Sequence, residues 1–342
     1  MAVSCGCKGV RFCKICEESK LCNRNLQEFG EILCLTYCDK CSRSYLSDCP
    51  ESKRCENHSY GFILDGVTVL SNFITEEEEN DLLNRIEESL WVESQSGRRK
   101  QDYGVKVNFK KKSVKFKYFT GLPNYSRYLV ERLHKRMRTN GKTFKDFFPV
   151  ELCNLEYLPE RGAAIVPHLD DSWLWGERLV LLNLASETEL TFTLLSNSPG
   201  YDEEWAKYKM FAETNFDFSQ GNLPPSIAVP LHRRSLLIMT GKARFTWCHS
   251  INREDITARR LSLTMRELSN EYLPPHSMIR QYAVCAEDIT INTDNVETET
   301  SEITESQRIG LELIKIASNF SGTSVGDTMR MTVQTPNDSK AN

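Results

Sequence analysis

Hydrophobic and polar positions alternate in short runs through the second half of the chain, from residue 150 onward. The runs, separated by glycine, proline and polar turns, are VELCNLEYL, AAIVPHLD, RLVLLNL, ELTFTLL, SIAVPL, SLLIMTG and RRLSLTMREL. Many short strands of this kind are typical of a β-sandwich or barrel rather than a helical fold. Residues 196–224, which include GYDEEWAKYKMFAETNF, interrupt the pattern, and we interpret them as an excursion from the sheet.

Earlier in the chain the pattern changes to helical spacing. A short apolar strand is predicted at 66–70, and Thr75 and Glu78 have the spacing of a capping box. The apolar positions that follow recur every three to four residues, which predicts an amphipathic helix: Leu82, Leu83, Ile86 and Leu90. A second amphipathic helix is predicted over 125–137, packed on the sheet.

Between these two helices, residues 96–119 alternate apolar with cationic positions and carry nine lysines and arginines. The alternation on both sides of the central lysines predicts a hairpin with one apolar and one basic face. Two interpretations of the basic face remain. It is either a solvated surface or a lid over an acidic partner, which could be a nucleic acid or an acidic protein surface.

Cysteines are concentrated at the N-terminus, where ten of the 13 lie in the first 55 residues. This density predicts a small Cys-rich module over residues 1–60. One compact four-thiol pattern suits a tetrahedral zinc ion: Cys5, Cys7, Cys13 and Cys16. The alternative is a set of redox-active or unpaired thiols. A second set could hold another ion: Cys34, Cys38 and Cys41 with Cys49, Cys55 or His58.

The C-terminal part is predicted to contain three segments. Residues 271–305 form an acidic linker, in which 287–305 carry seven acidic residues and no basic one. Residues 306–320 form a helix with Ser306 as its N-cap. The tail, 321–342, is predicted to be disordered.

Composition limits the functional classes only loosely. The 342 residues are 40% hydrophobic and 26% charged with a net charge of -4, so a nucleic-acid footprint would have to be local. The opening MAVSCGCKGVRF has no long apolar core, so we expect an intracellular protein in a reducing compartment. No apolar run approaches the roughly 18 residues that span a bilayer, so no membrane partner is expected.

The stretch PHLDD places His168 and Asp170 two residues apart, on one face of the predicted strand. Such a pair is either a surface contact or part of a two-histidine, one-carboxylate site for ferrous iron. An iron site requires a second histidine, for which His232 and His249 are the candidates.

The run RRLSLTMREL adds a second chemical indication. Its alternation places Arg260 and Arg266 on the polar face of a strand whose other face is apolar. Two arginines on an interior strand need carboxylates or phosphates, because a buried, unpaired guanidinium is costly. A dicarboxylic co-substrate would pair with one of them in a bidentate manner.

Together these segments resemble the AlkB family of Fe(II)/2-oxoglutarate dioxygenases, and within it the homologue 4 branch. The resemblance lies in CGCKGVRFCKICE, SQSGRRKQDYGVKVNF, CNLEYLPERGAAIVPHLDDSWLWGERLVLLNL and GKARFTWCHSINREDITARRLSLTMREL, and covers 5–16, 61–270 and the helix at 306–320. It implies a mainly β, α+β fold. The core would be a double-stranded β-helix, or jelly roll, with flanking helices, formed by a dioxygenase domain at 61–270 after the Cys-rich module.

The resemblance also assigns residues. By position, the iron ligands would be His168, Asp170 and His249, with no catalytic residue beyond them. Arg260 matches the arginine that binds the distal carboxylate of 2-oxoglutarate, and Arg266 matches the second arginine of the family's strand. Tyr157 stands where many members have a tyrosine near the co-substrate, and Leu155 stands where they have an asparagine.

The implied activity is oxidative N-demethylation that consumes 2-oxoglutarate and oxygen and yields succinate, carbon dioxide and formaldehyde. The homologue 4 branch implies monomethyl-lysine in actin as substrate, a role in actomyosin regulation and cytokinesis, and a location in cytoplasm and nucleus. Two alternatives stay open. One is demethylation of N6-methyladenine in DNA, and the other is a catalytically silent adaptor associated with actin or chromatin.

Overall fold

A computed structural model of the protein describes residues 5–7, 13–18, 34–46, 61–138, 146–215, 225–279, 282 and 303–334. Within these residues there are fifteen strands: β1 (Cys34–Cys38), β2 (Arg43–Leu46), β3 (Val67–Leu70), β4 (Val92–Glu93), β5 (Arg99–Tyr103), β6 (Lys106–Asn108), β7 (Ser113–Lys115), β8 (Glu151–Tyr157), β9 (Ile165–His168), β10 (Trp175–Leu184), β11 (Thr188–Thr193), β12 (Ser226–Leu231), β13 (Leu236–Met239), β14 (Cys248–Ile251) and β15 (Arg260–Leu268). The same residues form eight α-helices: α1 (Lys14–Glu18), α2 (Glu76–Glu87), α3 (Asn124–Arg138), α4 (Tyr201–Asn215), α5 (Gly241–Phe245), α6 (His276–Ile279), α7 (Glu305–Ala317) and α8 (Val325–Gln334).

Eight consecutive strands, β8 to β15, form the centre of the fold. The seven-stranded sheet has the order β3-β13-β10-β15-β8-β5-β4, and the six-stranded sheet has the order β2-β1-β12-β11-β14-β9. Along the chain, β8, β10, β13 and β15 therefore fall in the first sheet and β9, β11, β12 and β14 in the second. All pairings among these eight strands are antiparallel. This is the strand order of a jelly roll, so the predicted fold class is confirmed.

Strand β10 shows why the sheets stack as they do. Its even-numbered apolar residues, such as Val180 and Leu182, pack in the core beneath the helices, while Leu179 and Leu181 pack in the core between the sheets. A strand buried on both faces reads as a continuous apolar run, as RLVLLNL does. The interior between the sheets is the space into which Asn183, Arg260 and Arg266 also project, as their register in the sheet requires.

The flanking elements largely follow the sequence pattern. Helix α2 begins with the predicted capping box, in which Glu78 and Thr75 bond each other's backbone amides. Strands β6 and β7 pair as the predicted hairpin, with Val107 opposite Val114. Helix α3 matches the helix expected at 125–137, and α4 lies within the predicted excursion between β11 and β12.

The prediction of a self-contained module over 1–60 is wrong for residues 34–46. Strand β1 pairs in parallel with β12, with Leu35 opposite Ile227, and β2 pairs with β1. Leu35 and Tyr37 are buried in the core between the sheets. The run CLTYC therefore fits the alternation of a strand as well as a cysteine spacing.

Two C-terminal predictions are corrected. The N-cap of α7 is Thr304, not Ser306, and its partner in the capping box is Gln307. The tail predicted to be disordered contains α8, whose Asp327 carboxylate accepts a hydrogen bond from the backbone N–H of Leu90 at 3.2 Å. This contact fixes a helix that its polar composition does not indicate. Most of the predicted acidic linker, residues 283–302, and positions 335–342 lie outside the described residues.

None of the described helices is long and apolar enough to cross a lipid bilayer.

Candidate metal centre and co-substrate pocket

Two neighbouring strands bring the histidines of the predicted triad together. Strands β9 and β14 pair with His168 opposite His249, and the centroids of the two imidazole rings lie 4.3 Å apart. Asp170 follows β9 by two residues. One ligand atom from each of these three residues lies within 4.8 Å of the other two, so the group could hold a metal ion. His232, the other candidate, is exposed and lies 3.4 Å from Glu187, outside this group.

Both histidines are set up to bind as neutral ligands. The Nδ1 atom of His168 lies 2.9 Å from the carbonyl oxygen of Val166, to which it can donate, so Nε2 is the nitrogen that faces Asp170 at 3.7 Å. Burial and the neighbouring His168 lower the pKa of His249 to about 3. The buried Nδ1 of His249 has no hydrogen-bond partner within the described part of the chain.

Asp170 stays ionised because of Arg266. Two guanidinium nitrogens of Arg266 lie 3.0 and 3.1 Å from the Asp170 carboxylate. Burial raises the pKa of Asp170, but the neighbouring positive charges, that of Arg266 above all, outweigh burial and hold that pKa well below its usual range. Glu151 pairs with the same arginine at 2.6 Å. Two neutral imidazoles and one carboxylate are the ligand set that ferrous oxygenases use, so the residues present fit iron.

The loop that carries Asp170 is held by a side chain that the sequence pattern did not single out. Arg244, in α5, is buried and donates to the carbonyl oxygens of Asp170 at 2.8 Å and Asp171 at 3.0 Å. It also donates to the carbonyl oxygen of Gly176 at 3.3 Å. Arg244 therefore fixes the backbone on which the carboxylate ligand stands. In the sequence it is one basic residue of the turn GKARF, and nothing local indicates this role.

Arg260 lies in the interior between the sheets with most of its hydrogen-bonding capacity unused. It is 1% exposed; Nε donates to Asn183 Oδ1 at 2.7 Å, and the guanidinium carbon lies 4.8 Å from the centre of the Tyr157 ring. Both Nη atoms are buried and have no hydrogen-bond partner among the described residues. Burial lowers the pKa of Arg260, yet a guanidinium remains charged at neutral pH. An unpaired fork of this kind fits a carboxylate ligand such as one end of 2-oxoglutarate.

The directions in which side chains point along β8 show which residue stands where the family has an asparagine, two positions before Tyr157. Asn154 lies on the helix-facing side of β8, where its side-chain amide donates to Tyr125 Oη at 2.7 Å and Gln101 Oε1 at 2.8 Å. It therefore does not substitute for the family asparagine. Leu155 faces the interior, opposite Ser262 of β15. The polar partner of Arg260 is Asn183 on β10, which sequence reasoning missed because the pair spans 77 positions.

The N-terminal cysteines form a second group that could hold a metal. The Sγ atoms of the four lie within 4.8 Å of one another: Cys5, Cys7, Cys13 and Cys16. A backbone hydrogen bond at Cys13 lowers the pKa of Cys16, but burial and hydrogen bonds with the neighbouring thiols raise it to about 12. Four crowded thiolates therefore need a cation to be stable.

The second cysteine set is not supported as a metal site. Within the described part of the chain, Cys34, Cys38 and Cys41 belong to no metal-capable group. They lie on β1 and the turn that follows it. The remaining members of that set lie outside the described residues: Cys49, Cys55 and His58.

Comparison with known proteins gives the family. No protein-family model matches the chain. The "Alpha-ketoglutarate-dependent dioxygenase alkB homolog 4" of Mus musculus is 41% identical over 280 residues, covering 79% of this chain and 88% of the mouse protein. The chain belongs to the AlkB family of α-ketoglutarate-dependent dioxygenases. The resemblance in the sequence is thus confirmed, and the chain is an AlkB-type 2-oxoglutarate-dependent dioxygenase.

Two further AlkB-related or similarly folded proteins are informative in different ways. The "DNA N6-methyl adenine demethylase" of Caenorhabditis elegans is 36% identical over 295 residues, covering 82% of this chain and 91% of the worm protein. The solved structure entitled "The structure of OsALKBH1" is 13% identical, covers 60% of this chain and 98% of its own, and has a TM-score of 0.41. The fold described above rests on the strand order of this chain and not on that likeness.

Proposed function

We propose that this AlkB-family chain is an N-demethylase in which His168, Asp170 and His249 bind Fe(II) and Arg260 binds the distal carboxylate of 2-oxoglutarate. The observation that carries this proposal is the unpaired, buried guanidinium fork of Arg260 in the same interior as the triad. A protein without a dicarboxylate ligand gains nothing from that fork, because burying it unpaired destabilises the fold. Tyr157 packs on the fork, and Arg266 contributes by keeping the Asp170 ligand ionised.

When bound, iron and 2-oxoglutarate supply the oxidation, in which oxygen and 2-oxoglutarate give succinate and carbon dioxide and the methyl group leaves as formaldehyde. The residues of the chain bind and orient. Arg266 holds Asp170 as a carboxylate at every pH of interest, and Arg244 fixes the Asp170 loop. Asn183 and Tyr157 set the direction of the Arg260 fork, which excludes other orientations of the co-substrate.

For the substrate we propose monomethyl-lysine in actin, with roles in actomyosin regulation and cytokinesis and a location in cytoplasm and nucleus. Two observations support this: the resemblance to the homologue 4 branch, and the exposed basic hairpin of β6 and β7. Six exposed lysines lie on or beside that hairpin: Lys106, Lys110, Lys111, Lys112, Lys115 and Lys117. A cationic surface of this kind favours an acidic partner such as actin.

N6-methyladenine in DNA is the second candidate substrate. The observation that favours it is the 36% identity to the worm protein named as a DNA N6-methyladenine demethylase. The basic hairpin is compatible with a phosphate backbone as well. A silent adaptor is disfavoured, since an adaptor has no need of a complete triad together with Arg260.

The test is a side-by-side assay of the two methylated substrates. Purified protein with Fe(II), 2-oxoglutarate and ascorbate is given a monomethyl-lysine actin peptide or a DNA duplex with N6-methyladenine, and formaldehyde and succinate are measured by mass spectrometry. We expect equal amounts of both products with the peptide and succinate alone without substrate. Product formation with DNA only would overturn the actin proposal, and no succinate under any condition would overturn the enzymatic one.

We also propose that the four N-terminal cysteines bind one structural zinc ion. The convergence of their Sγ atoms within 4.8 Å supports this, and four thiolates are a common ligand set for tetrahedral zinc. Redox-active thiols are the alternative. The zinc content of cysteine variants separates the two.

A further inference from the structure

A row of charged side chains extends from the metal centre across the sheet. Strand β8 pairs with β15 and with β5, so Glu151 and Cys153 share the interior face with Arg266. On β5, Asp102 stands opposite Cys153, and Lys100 stands opposite Leu155. Side chains alternate along a strand, so Lys100 and Asp102 project toward the same interior as the triad. Gln101, between them, projects to the helix side, where it bonds the carbonyl oxygen of Ile86.

The members of this row are linked one to the next. Arg266 joins Asp170 at 3.0 Å to Glu151 at 2.6 Å. The Cys153 thiol, which lies beside Glu151 on β8, donates to Asp102 Oδ1 at 3.3 Å. Asp102 is therefore the next carboxylate in the row after Glu151. Asp102 belongs to neither of the metal-capable groups found among the described residues.

What Asp102 binds in this structure is an ammonium group. Lys100 Nζ lies 2.5 Å from Asp102 Oδ2, and the two side chains are 36% and 33% exposed. An ion pair this exposed adds little to stability, so the lysine can leave the carboxylate at little cost. The triad residues are less exposed, at 18% for His168 and 14% for Asp170. The outer end of the row is thus more exposed than the triad, so a ligand can reach Asp102 from solvent.

We propose that Asp102 is the specificity-determining residue that receives the positively charged nitrogen of a methylated amine. The Lys100 ammonium holds this position until the substrate amine replaces it. This inference rests on the proposed function, since the methyl group must be presented to the metal centre at the inner end of the row. It deepens that function by naming the substrate class as a cationic N-methylamine, such as a methylated lysine side chain.

The exchange discriminates between the two candidate substrates. A monomethylammonium replaces Lys100 with a group of the same charge that still has two N–H donors, so Asp102 stays paired. A neutral methylated adenine cannot do so, and displacing Lys100 would leave the carboxylate without a cation. A substrate that carries its own positive charge is therefore favoured at Asp102.

Peptide binding tests the assignment without depending on turnover. Titration of the monomethyl-lysine actin peptide is compared for wild type, Asp102→Asn and Lys100→Met, all with metal and 2-oxoglutarate present. We expect Asp102→Asn to weaken binding at least about tenfold, since a charge-assisted hydrogen bond is lost. Lys100→Met should tighten binding several-fold, because the competing ammonium is gone. Asp81→Asn and Lys315→Met make the same charge changes at exposed positions and should leave binding unchanged.

The outcomes separate this inference from the proposed function. If Asp102→Asn binds the peptide as tightly as Asp81→Asn does, the role of Asp102 is overturned, whether or not wild type releases succinate. Weakened binding together with no succinate release from wild type supports Asp102 and overturns the enzymatic proposal. If Asp102→Asn does not fold, Lys100→Met decides alone: unchanged or weaker peptide affinity in that variant contradicts the exchange. An N6-methyladenine duplex that loses as much affinity as the peptide in Asp102→Asn also contradicts it.

Discussion

At the scale of single residues, the most informative side chains are those whose hydrogen-bonding groups are not all paired within the fold. Arg260 is one, with two buried Nη atoms unpaired. We predict that Arg260→Ala weakens 2-oxoglutarate binding by on the order of 2–5 kcal/mol, because a desolvated charge pair is lost. Arg260→Lys should be impaired as well, since an ammonium does not reproduce the fork. The measurement is titration of 2-oxoglutarate, with exposed Arg85→Lys as control; unchanged affinity in Arg260→Ala rules the anchor out.

The metal ligands give a matched pair of histidine variants. His168→Ala removes one of three converging ligand atoms and should abolish both stoichiometric Fe(II) binding and 2-oxoglutarate turnover. His232→Ala is the control, because His232 is exposed and outside the group, and it should retain both. Iron content after gel filtration and succinate release are the measurements. Full turnover in His168→Ala would show that the triad is assigned wrongly.

At the scale of elements, helix α7 makes an unusually close backbone contact. A Cβ atom at Gly310 would lie 1.7 Å from the carbonyl oxygen of Tyr272. Helix propensity favours alanine over glycine by about 1 kcal/mol, but the clash has the opposite sign and should outweigh it. We predict that Gly310→Ala lowers the free energy of unfolding by about 1–3 kcal/mol net, while exposed Glu312→Ala changes it by less than about 0.5 kcal/mol. Denaturant midpoints measure both; a more stable Gly310→Ala would contradict the contact.

The elements of the fold differ in how well the sequence predicts them. The strands of the jelly roll are predictable from their pattern. A strand with one apolar and one polar face requires alternation, as in β15, and a strand with two apolar faces requires an apolar run, as in β10. Helix α8 is not predictable in this way, since it is held by contacts with residues distant in sequence, among them Asp327 with Leu90 and Gly326 with Val92. Strand β1 was misread because CLTYC satisfies a cysteine spacing and a strand alternation at once.

The residues of the candidate site also divide into those that the local sequence predicts and those that it does not. His168 and Asp170 share a short motif, and the strand alternation sets Arg260 and Arg266 on one face, so local pattern was sufficient for them. The choice of His249 over His232 depends on which strand pairs with β9, and the sequence alone left it open until the family resemblance was considered. The supporting contacts, from Asn183 to Arg260 and from Arg244 to the Asp170 loop, arise only when distant segments pack. Their residue types carry no local signal.

At the scale of the whole molecule, the N-terminal segment is attached to the dioxygenase fold by its own contacts. Glu17 and Arg253 form a two-point ion pair at 2.7 and 2.8 Å. The backbone at Gly6 approaches Ser94 so closely that a Cβ atom would lie 2.6 Å from its carbonyl oxygen. The thiol group therefore sits against the outer surface of the barrel, while the triad lies within it. Because no residue belongs to both groups, the two metal sites should be separable.

This separation leads to a prediction on metal content. The Cys13→Ser/Cys16→Ser double variant removes the two most buried thiols of the group and should lose about one zinc per chain, because metal binding supplies most of the folding free energy of so short a segment. It should retain Fe(II) and release succinate from 2-oxoglutarate, since the triad contains no cysteine. Cys41→Ser, outside the group, should keep the zinc content of wild type. Elemental analysis measures both metals. Equal zinc content in the double variant and in wild type refutes the ligand set and favours redox-active thiols. Loss of iron from a folded double variant would show that the N-terminal segment and the barrel form one cooperative unit.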